Sequence, residues 1–304
     1  MTLAALALVL VAAVVHASWN LLAKRVSAST DGAVFVWLYG ALSAVLYTPP
    51  AMWVLLRDRP HLGRLEVGAM AGSALVHLVY FLVLQRGYRT GDLSVVYPLA
   101  RGTGPLLSTA SAVLLLGERP SAVAGAGALL VSVSVFLFAS SPQGASQGAE
   151  PERRGAAATA ARARRRESIA FGLGTGALIA FYTVWDKYAV ATLGVAPLLM
   201  EWSTSLARVG LLAPVAARRW PLVRGTWARH RAVTLAVAAM NPLSYLLVMI
   251  AMVTTPVSYV APAREVSILI GAVLGARLLG EGDARRRLAA AGLMVVGVVA
   301  LAVG

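Results

Sequence analysis

Apolar runs about as long as a membrane is thick recur along the whole chain, and they limit its fold more than any other feature. Hydrophobic residues make up 59% of the 304 residues and charged residues only 13%, so a soluble fold could not bury this much apolar surface. A helix of about 20 residues crosses the ~30 Å hydrocarbon core of a bilayer. The sequence therefore predicts an all-α polytopic membrane protein.

Ten such runs can be placed, and each predicts a transmembrane helix. They cover residues 3–23, 32–56, 66–86, 93–116, 121–140, 168–188, 195–217, 232–252, 255–279 and 286–303. The first run lacks the basic leader of a secretory signal peptide and is too long for one, so it is interpreted as the first span.

The long connection 141–167 divides the chain into two halves. It is rich in Gly, Ala, Ser, Pro and Arg, a composition that cannot bury a core and predicts a flexible basic hinge loop. The halves, 1–140 and 168–304, then hold five helices each. Because five is odd, matching halves lie upside down relative to each other, as two inverted five-helix repeats.

A stretch of the fourth span recurs in the ninth. Residues 92–118 read DLSVVYPLARGTGPLLSTASAVLLLGE and residues 255–281 read TPVSYVAPAREVSILIGAVLGARLLGE, with Arg101 matching Arg264 and both copies closing in Leu-Leu-Gly-Glu. Each copy is interrupted early by Pro and Arg. Paired, broken hydrophobic segments in corresponding halves indicate the substrate site of a repeat-built transporter.

The net charge of +14 lies mostly in the connections between spans. Basic loops at a membrane surface explain this charge better than a nucleic-acid partner does. Odd-numbered connections carry most of the arginines, so the positive-inside rule places them in the cytoplasm and both termini outside. The sequence contains no cysteine, which excludes disulfides and thiolate metal sites. No cofactor is expected.

Polar residues inside spans are costly and usually face a cavity or a partner. Trp19 and Asn20 lie on one face of the first span, and Tyr182 and Asp186 lie on one face of the sixth. These four are candidate substrate-binding residues, and Asp186 is also a candidate proton carrier. The alternative for the tryptophan is simple anchoring at the headgroup zone.

Three further spans carry polar faces. His77 and Tyr80 share a side of the third span, and Tyr245 follows an Asn-Pro break in the eighth. Glu201 lies two turns before Arg208 in the seventh span, on the same helical face. Burial of a carboxylate in the span disfavours its charged form, which makes Glu201 a second candidate proton carrier. A hydrogen-bonded neutral histidine and a static Glu201–Arg208 ion pair are the structural alternatives.

Arg101 and Arg264 each lie about eight residues, or ~12 Å, inside their spans. Inversion predicts that one faces each leaflet, as two symmetric gates whose guanidinium groups grip a carboxylate or phosphate. The alternatives are snorkelling or pairing with an acid, such as Glu265 beside Arg264. Glu118 and Glu281 are expected only to shape the turns that follow them, by stabilising a helix dipole.

The residues His16-Ala-Ser-Trp19-Asn20-x-x-x-Lys24, the segment Tyr97-Pro98-Leu-Ala-Arg101, and the two Leu-Leu-Gly-Glu closures resemble the EamA-type permeases of the drug/metabolite transporter superfamily. The resemblance implies two EamA repeats around a central cavity, alternating access, and export or uptake of amino acids, metabolites or drugs. It also implies cytoplasmic termini, which conflicts with the distribution of loop charge.

The leading hypothesis is a secondary transporter of a small polar metabolite bearing a carboxylate or phosphate, in a multi-pass inner membrane protein. Its cavity would be lined by Trp19, Asn20, His77, Tyr80, Tyr97, Tyr182, Asp186 and Tyr245. The expected partners are the substrate, the lipid bilayer and a coupling proton. An alternative is broad-specificity efflux of lipophilic cations. A membrane-embedded enzyme is disfavoured because no metal-binding or nucleophile motif occurs.

Overall fold

The computed structural model describes residues 1–27, 30–90, 93–139, 154–271 and 284–304. Within these ranges the regular structure is entirely helical, without strands, which confirms the all-α prediction for them. The helices are α1 Leu3–Ser27, α2 Gly32–Arg57, α3 Arg64–Thr90, α4 Leu93–Leu115, α5 Ala122–Ala139, α6 Arg154–Ala191, α7 Pro197–Arg218, α8 Trp220–Thr254, α9 Val257–Ala263, α10 at 266–271, and α11 Ala284–Val303.

Five of the described helices are long and apolar enough to cross a membrane. They are Leu3–Lys24, Gly32–Arg57, Arg64–Thr90, Arg162–Ala191 and Trp220–Thr254, and two shorter apolar helices cover Ala122–Leu137 and Leu288–Val303. This composition is that of an integral multi-pass membrane protein. The count of ten transmembrane helices and the inversion of the two halves remain predictions.

The chain folds into two compact units. Among the described residues, the first unit contains Met1–Leu78, Trp185–Pro256 and 266–271, and the second contains Val79–Val184, Val257–Glu265 and 284–304. The boundaries therefore fall inside α3 and α6. The predicted division at 1–140 and 168–304 follows the sequence repeat instead of compactness, and it remains a prediction.

In the first unit, α2 packs on α7 and α8, and α1 packs on α8. Side-chain hydroxyls join α2 to the backbone of α8. Ser43 donates to the Ala238 carbonyl at 2.8 Å, and Tyr47 donates to the Ala239 carbonyl at 2.7 Å. Such interhelical hydrogen bonds hold helices together where lipid removes the hydrophobic driving force for their association.

In the second unit, α5 packs against α11, and α4 packs against α5 and α9. The closest approach is at Gly127 of α5 and Gly297 of α11. A Cβ atom added at Gly127 would lie 2.7 Å from the Gly297 carbonyl oxygen. Only glycine fits at this distance, so the two backbones pack directly against each other.

The second half of the predicted hinge is helical. Residues 154–167 form the first turns of α6, which extends over 38 residues, and residues 141–153 lie outside the described part of the chain. Alanine and arginine both favour helix, so the composition interpreted as a flexible loop also suits a helix. The prediction of a loop was therefore wrong for 154–167.

The arginine-rich connection predicted at 218–231 is also largely helical, because α8 begins at Trp220. The helical geometry is interrupted at His230 (φ −128°, ψ 22°) and not at Pro242, where the sequence predicted a break. Pro242 lies in continuous helix. A proline inside a membrane helix is tolerated where neighbouring groups satisfy the backbone atoms that it frees.

The two copies of the repeated stretch differ in the described structure. The second copy is broken as predicted, since α9 ends at Ala263 and helix resumes at 266 after a turn at Arg264 and Glu265. The amides of the turn remain bonded, to the Val260 and Pro262 carbonyls. The first copy is wrongly predicted to be broken, because α4 continues through both its prolines.

The close packing of α5 on α11 can be tested with two glycines of one helix. We expect Gly127→Ala to lower the stability of the protein by about 1–3 kcal/mol, since its methyl group overlaps the α11 backbone. Gly125→Ala is the matched control, because no atom lies within 4 Å of its added Cβ. Thermal unfolding of both variants in one detergent measures the difference. Equal midpoints for the two would contradict the packing.

Candidate functional site

A buried carboxylate organises the polar residues of the first unit. Asp186 of α6 is fully buried, and the Tyr245 hydroxyl of α8 donates to its Oδ2 at 2.7 Å. His77 of α3 places Nε2 3.8 Å from the same oxygen, and its ring meets that of Tyr245 edge-on at 5.4 Å. Three predicted site residues on three helices are thus in contact.

Two oxygens of Ser73 lie beside Nδ1 of this histidine, the carbonyl at 2.9 Å and the hydroxyl at 3.3 Å. In the tautomer that donates to the carbonyl, Nδ1 carries the proton. Nε2, which faces Asp186, is then the ring nitrogen that can gain or lose a proton. The signal for Ser73 in the sequence was its position one turn before His77.

The residues flanking Asp186 have structural roles. Trp185 donates its indole N–H to the Ala69 carbonyl of α3 at 2.9 Å. The Lys187 ammonium donates to the Met252 and Thr255 carbonyls, at 2.6 and 3.2 Å. A cation at the last carbonyls of a helix complements its dipole, so Lys187 caps the C-terminal end of α8.

The second unit holds a cluster of two arginines around one acid. The Arg101 guanidinium of α4 places Nη2 3.0 Å from Glu265 Oε2. Arg264 Nε lies 3.4 Å from Glu265 Oε1. Arg264 and Glu265 occupy the turn between α9 and α10, and Glu265 is only 1% exposed. Two positive charges therefore share one buried negative charge.

This geometry corrects the prediction that the arginines face opposite leaflets. Each lies ~12 Å inside its span, and a span is ~30 Å deep. In the predicted inverted arrangement they enter from opposite sides and differ in depth by only about 6 Å, about the length of one arginine side chain. A common acid can therefore bring them together. Sequence analysis had named Glu265 as a partner of Arg264 only.

Tyrosines surround the arginine cluster. Tyr182 is buried, with the Arg264 guanidinium carbon 5.9 Å from its ring centre and the Tyr80 ring edge-on at 5.5 Å. The Tyr97 hydroxyl is a hydrogen-bonding partner of Arg101. Tyrosines supply a π face for cations and hydroxyls for polar ligands. Five predicted substrate residues therefore gather in the second unit.

The two candidates on α1 do not join either cluster through the contacts described. Asn20 is exposed, and its amide donates to the His16 carbonyl of its own helix at 2.8 Å. Trp19 contacts the His16 ring edge-on at 5.2 Å. Their substrate role stays a prediction.

The second proton-carrier candidate, Glu201, is buried on α7. Glu201 and Arg208 share a helical face, two turns apart, and form no direct ion pair among the described contacts. Arg208 instead donates to the Asn241 side-chain oxygen of α8 at 3.5 Å. Although no contact ion pair joins them, the Arg208 charge still acts on the buried Glu201 carboxyl, and the role of Glu201 stays a prediction.

Glu118 has a role that the sequence described only in part. Its carboxylate accepts from the Val257 N–H at 2.7 Å and from the Ser258 N–H at 2.9 Å, which are the first two amides of α9. The acid stabilises a helix start as predicted, but that helix is α9 and not α5. Its repeat counterpart, Glu281, lies outside the described residues.

Residues 3–140 match the model of the EamA-like transporter family. A solved structure, titled only as the crystal structure of a protein, is similar with a TM-score of 0.72 at 15% identity, over 100% of this chain and 98% of that chain. At this identity the likeness shows the fold alone. No curated protein matches the chain.

The apolar helices are those of an integral multi-pass membrane protein, and each of its two units holds a buried polar cluster. The family match covers residues 3–140, just under half of the chain, and over that range the chain is similar to the EamA-like transporter family. The predicted resemblance to the EamA-type permeases of the drug/metabolite transporter superfamily is thereby confirmed. Members of this family are transporters and not enzymes, which supports a membrane transporter at the level of the family.

The contact between Glu118 and α9 generates a stability prediction. We expect Glu118→Ala to destabilise the protein by about 2–3 kcal/mol, because two amides of α9 lose a charged acceptor. Arg119→Ala, at the exposed neighbouring position, is the control and should unfold like the native protein. Thermal unfolding in detergent measures both. An unchanged midpoint for Glu118→Ala would show that water replaces the carboxylate without loss.

Proposed function

We propose that this protein is a secondary transporter of a small polar metabolite that carries a carboxylate or phosphate group, and that it works by alternating access. The observation that carries the proposal is the cluster in which Arg101 and Arg264 share the single carboxylate of Glu265. Two guanidinium groups and one carboxylate are thus held together in the second unit.

The planar guanidinium fork matches the oxygens of a carboxylate or phosphate in pairs. A substrate anion can therefore bind to the same two arginines that hold Glu265. Before substrate binds, Glu265 holds both arginines in position. An arriving anion then competes with Glu265 for the same donors, so binding can change the geometry of the turn between α9 and α10.

The turn itself supports alternating access. Broken helices in transporters place ion-binding side chains and unwound backbone at the substrate site, and Arg264 and Glu265 occupy such a break. Non-helical backbone at membrane depth is tolerated only where protein or an aqueous cavity surrounds it. The burial of both side chains (Arg264 8% exposed, Glu265 1%) fits this requirement.

The Asp186 cluster supports proton coupling. His77 Nε2 and the Tyr245 hydroxyl both face Asp186 Oδ2, so a proton held on the carboxylate or on the imidazole has a neighbour that can accept or donate it. Glu201 is a second buried carboxylate of the same unit. Cycling of a proton on either acid would couple substrate movement to the proton gradient.

Efflux of lipophilic cations is the second candidate function. The buried acid Asp186 has aromatic rings beside it, those of His77 and Tyr245, and this arrangement suits a cation through ion pairing and cation–π contacts. It requires the first unit to bind the substrate. The anion proposal requires the second unit to do so, which makes the two separable by mutation.

Uptake into proteoliposomes tests the anion proposal. We expect Arg101→Gln and Arg264→Gln each to lower the transport efficiency for a dicarboxylate or organophosphate by tenfold or more, since each removes a charged donor worth about 1.5–3 kcal/mol. Arg119→Gln is the matched control for loss of a charge at an exposed site. Full anion transport by both variants would remove the basis of the proposal, and transport of lipophilic cations blocked by Asp186→Asn would favour the second candidate.

Proton coupling makes a separate prediction. With substrate fixed, an imposed pH gradient should stimulate uptake by the native protein, and Asp186→Asn or Glu201→Gln should lower this stimulation about tenfold. Asp58→Asn makes the same chemical change at an exposed position and should leave the stimulation intact. Exchange of substrate across the membrane without a gradient distinguishes loss of coupling from loss of binding. Stimulation that survives in both acid variants would contradict the assignment.

A further inference from the structure

A groove lined by tryptophans opens in the first unit, and none of its lining residues belongs to the Asp186 cluster or takes part in the proposed transport. Its volume is about 260 Å³. It lies where α2 passes the first turns of α8, and its walls include Trp37, Leu42 and Val45 of α2 and Trp220, Arg224 and Trp227 of α8.

The floor of the groove is well packed. Val34 and Leu38 of α2 form a buried cluster with Ala216 of α7 and Val223 of α8. At one end, an ion pair between Asp31 and Arg219 ties the start of α2 to the start of α8. Asp31 also caps α2 by accepting from two of its amides. The groove is therefore a fixed feature of the fold.

The length of α8 indicates the depth of the groove in the membrane. Its 35 residues measure about 52 Å as a helix, whereas the hydrocarbon core is ~30 Å thick. The residues before the break at His230 carry the arginines and two tryptophans, so they lie at headgroup level. From Trp37 to Val45, the α2 wall then extends about 12 Å toward the middle of the bilayer.

The charge at the headgroup end of the groove is positive. Arg224 is exposed and has no ion-pair partner in the described part of the chain. Arg218, Arg229 and Arg231 are also exposed on this stretch, whereas Arg219 is engaged by Asp31. Of these arginines, Arg224 is the one that lines the groove.

We infer that this groove binds one phospholipid with an anionic headgroup. Arg224 donates to the lipid phosphate, the Trp220 and Trp227 indoles lie about one turn on either side of it in the interfacial zone, and an acyl chain occupies the apolar wall of α2. The loop charges predict that this side faces the cytoplasm, where anionic lipids are concentrated. Arginine and interfacial tryptophan together match the polar and apolar parts of such a lipid.

The inference can be tested by tryptophan quenching with brominated lipids. The full-length protein is reconstituted into vesicles of phosphatidylcholine and phosphatidylglycerol, with bromine on the acyl chains of one lipid at a time. Three of the seven tryptophans line the groove. We expect brominated phosphatidylglycerol to quench the native protein more strongly, at equal mole fraction, and added salt to reduce the excess.

Two variants of one helix separate a site from general surface charge. Arg224→Gln should lower the preference for phosphatidylglycerol about fivefold, because one arginine near an anionic headgroup contributes about 1 kcal/mol. Arg229→Gln removes the same charge from an exposed position outside the groove and should retain the preference. Arg224→Lys keeps the charge and should retain most of it, which distinguishes loss of binding from loss of folding.

The contrary outcomes are equally defined. Equal quenching of the native protein by the two lipids would overturn the inference. So would equal losses in Arg224→Gln and Arg229→Gln, since the attraction would then come from the whole basic stretch. Displacement of the lipid by millimolar glycerol phosphate would show that the groove recognises the phosphate alone, without an acyl chain, and would also overturn it. None of these results bears on the substrate proposal.

Discussion

The shared carboxylate of Glu265 is the interaction on which the second unit depends. Arg101 comes from α4, and Arg264 and Glu265 come from the turn where α9 ends. Removing three charged groups from water costs several kcal/mol per ion before pairing offsets it. An apolar core of the same shape is often at least as stable, so charge retained inside a membrane span typically marks a functional site.

The helix break and the ion cluster depend on each other. Continuous helix would carry the two neighbouring residues 264 and 265 away from each other around its axis, whereas the turn lets both side chains interact. The helix that leads into this turn is fixed at its start, because the first two amides of α9 donate to the Glu118 carboxylate. A seven-residue helix is too short to be stable alone, so these carboxylate contacts at both ends define its position.

Each unit has a buried acid in contact with polar side chains, but the chemistry of those side chains differs between the two units. In the first unit Asp186 is surrounded by neutral or titratable groups, His77 and Tyr245. In the second, the acid is surrounded by permanent cations. Arginine keeps its charge at any physiological pH, and histidine does not. The first arrangement therefore suits an exchangeable proton and the second a stable anion site, which is the division of roles that the proposed transport requires.

Several of these features could be predicted from the sequence because they depend on local composition. Apolar run length decided that the chain crosses a membrane, and the early proline and arginine of 255–279 predicted a broken helix. The pairs His77 with Asp186, and Arg264 with Glu265, were among residues singled out because a charge inside a span needs a reason. The errors at 154–167 and 218–231 arose because arginine marks both loops and good helices.

The sequence by itself determined the class of protein, because hydrophobicity and span length act residue by residue. It also predicted the resemblance to a family, because short motifs carry that resemblance. Tertiary structure alone decided which charges meet. That Arg101 and Arg264 share Glu265, and that Glu118 stabilises α9 from 139 residues away, depends on how helices distant in the chain pack. Periodicity reports the face of a helix on which a residue lies, but not the neighbour that this face meets.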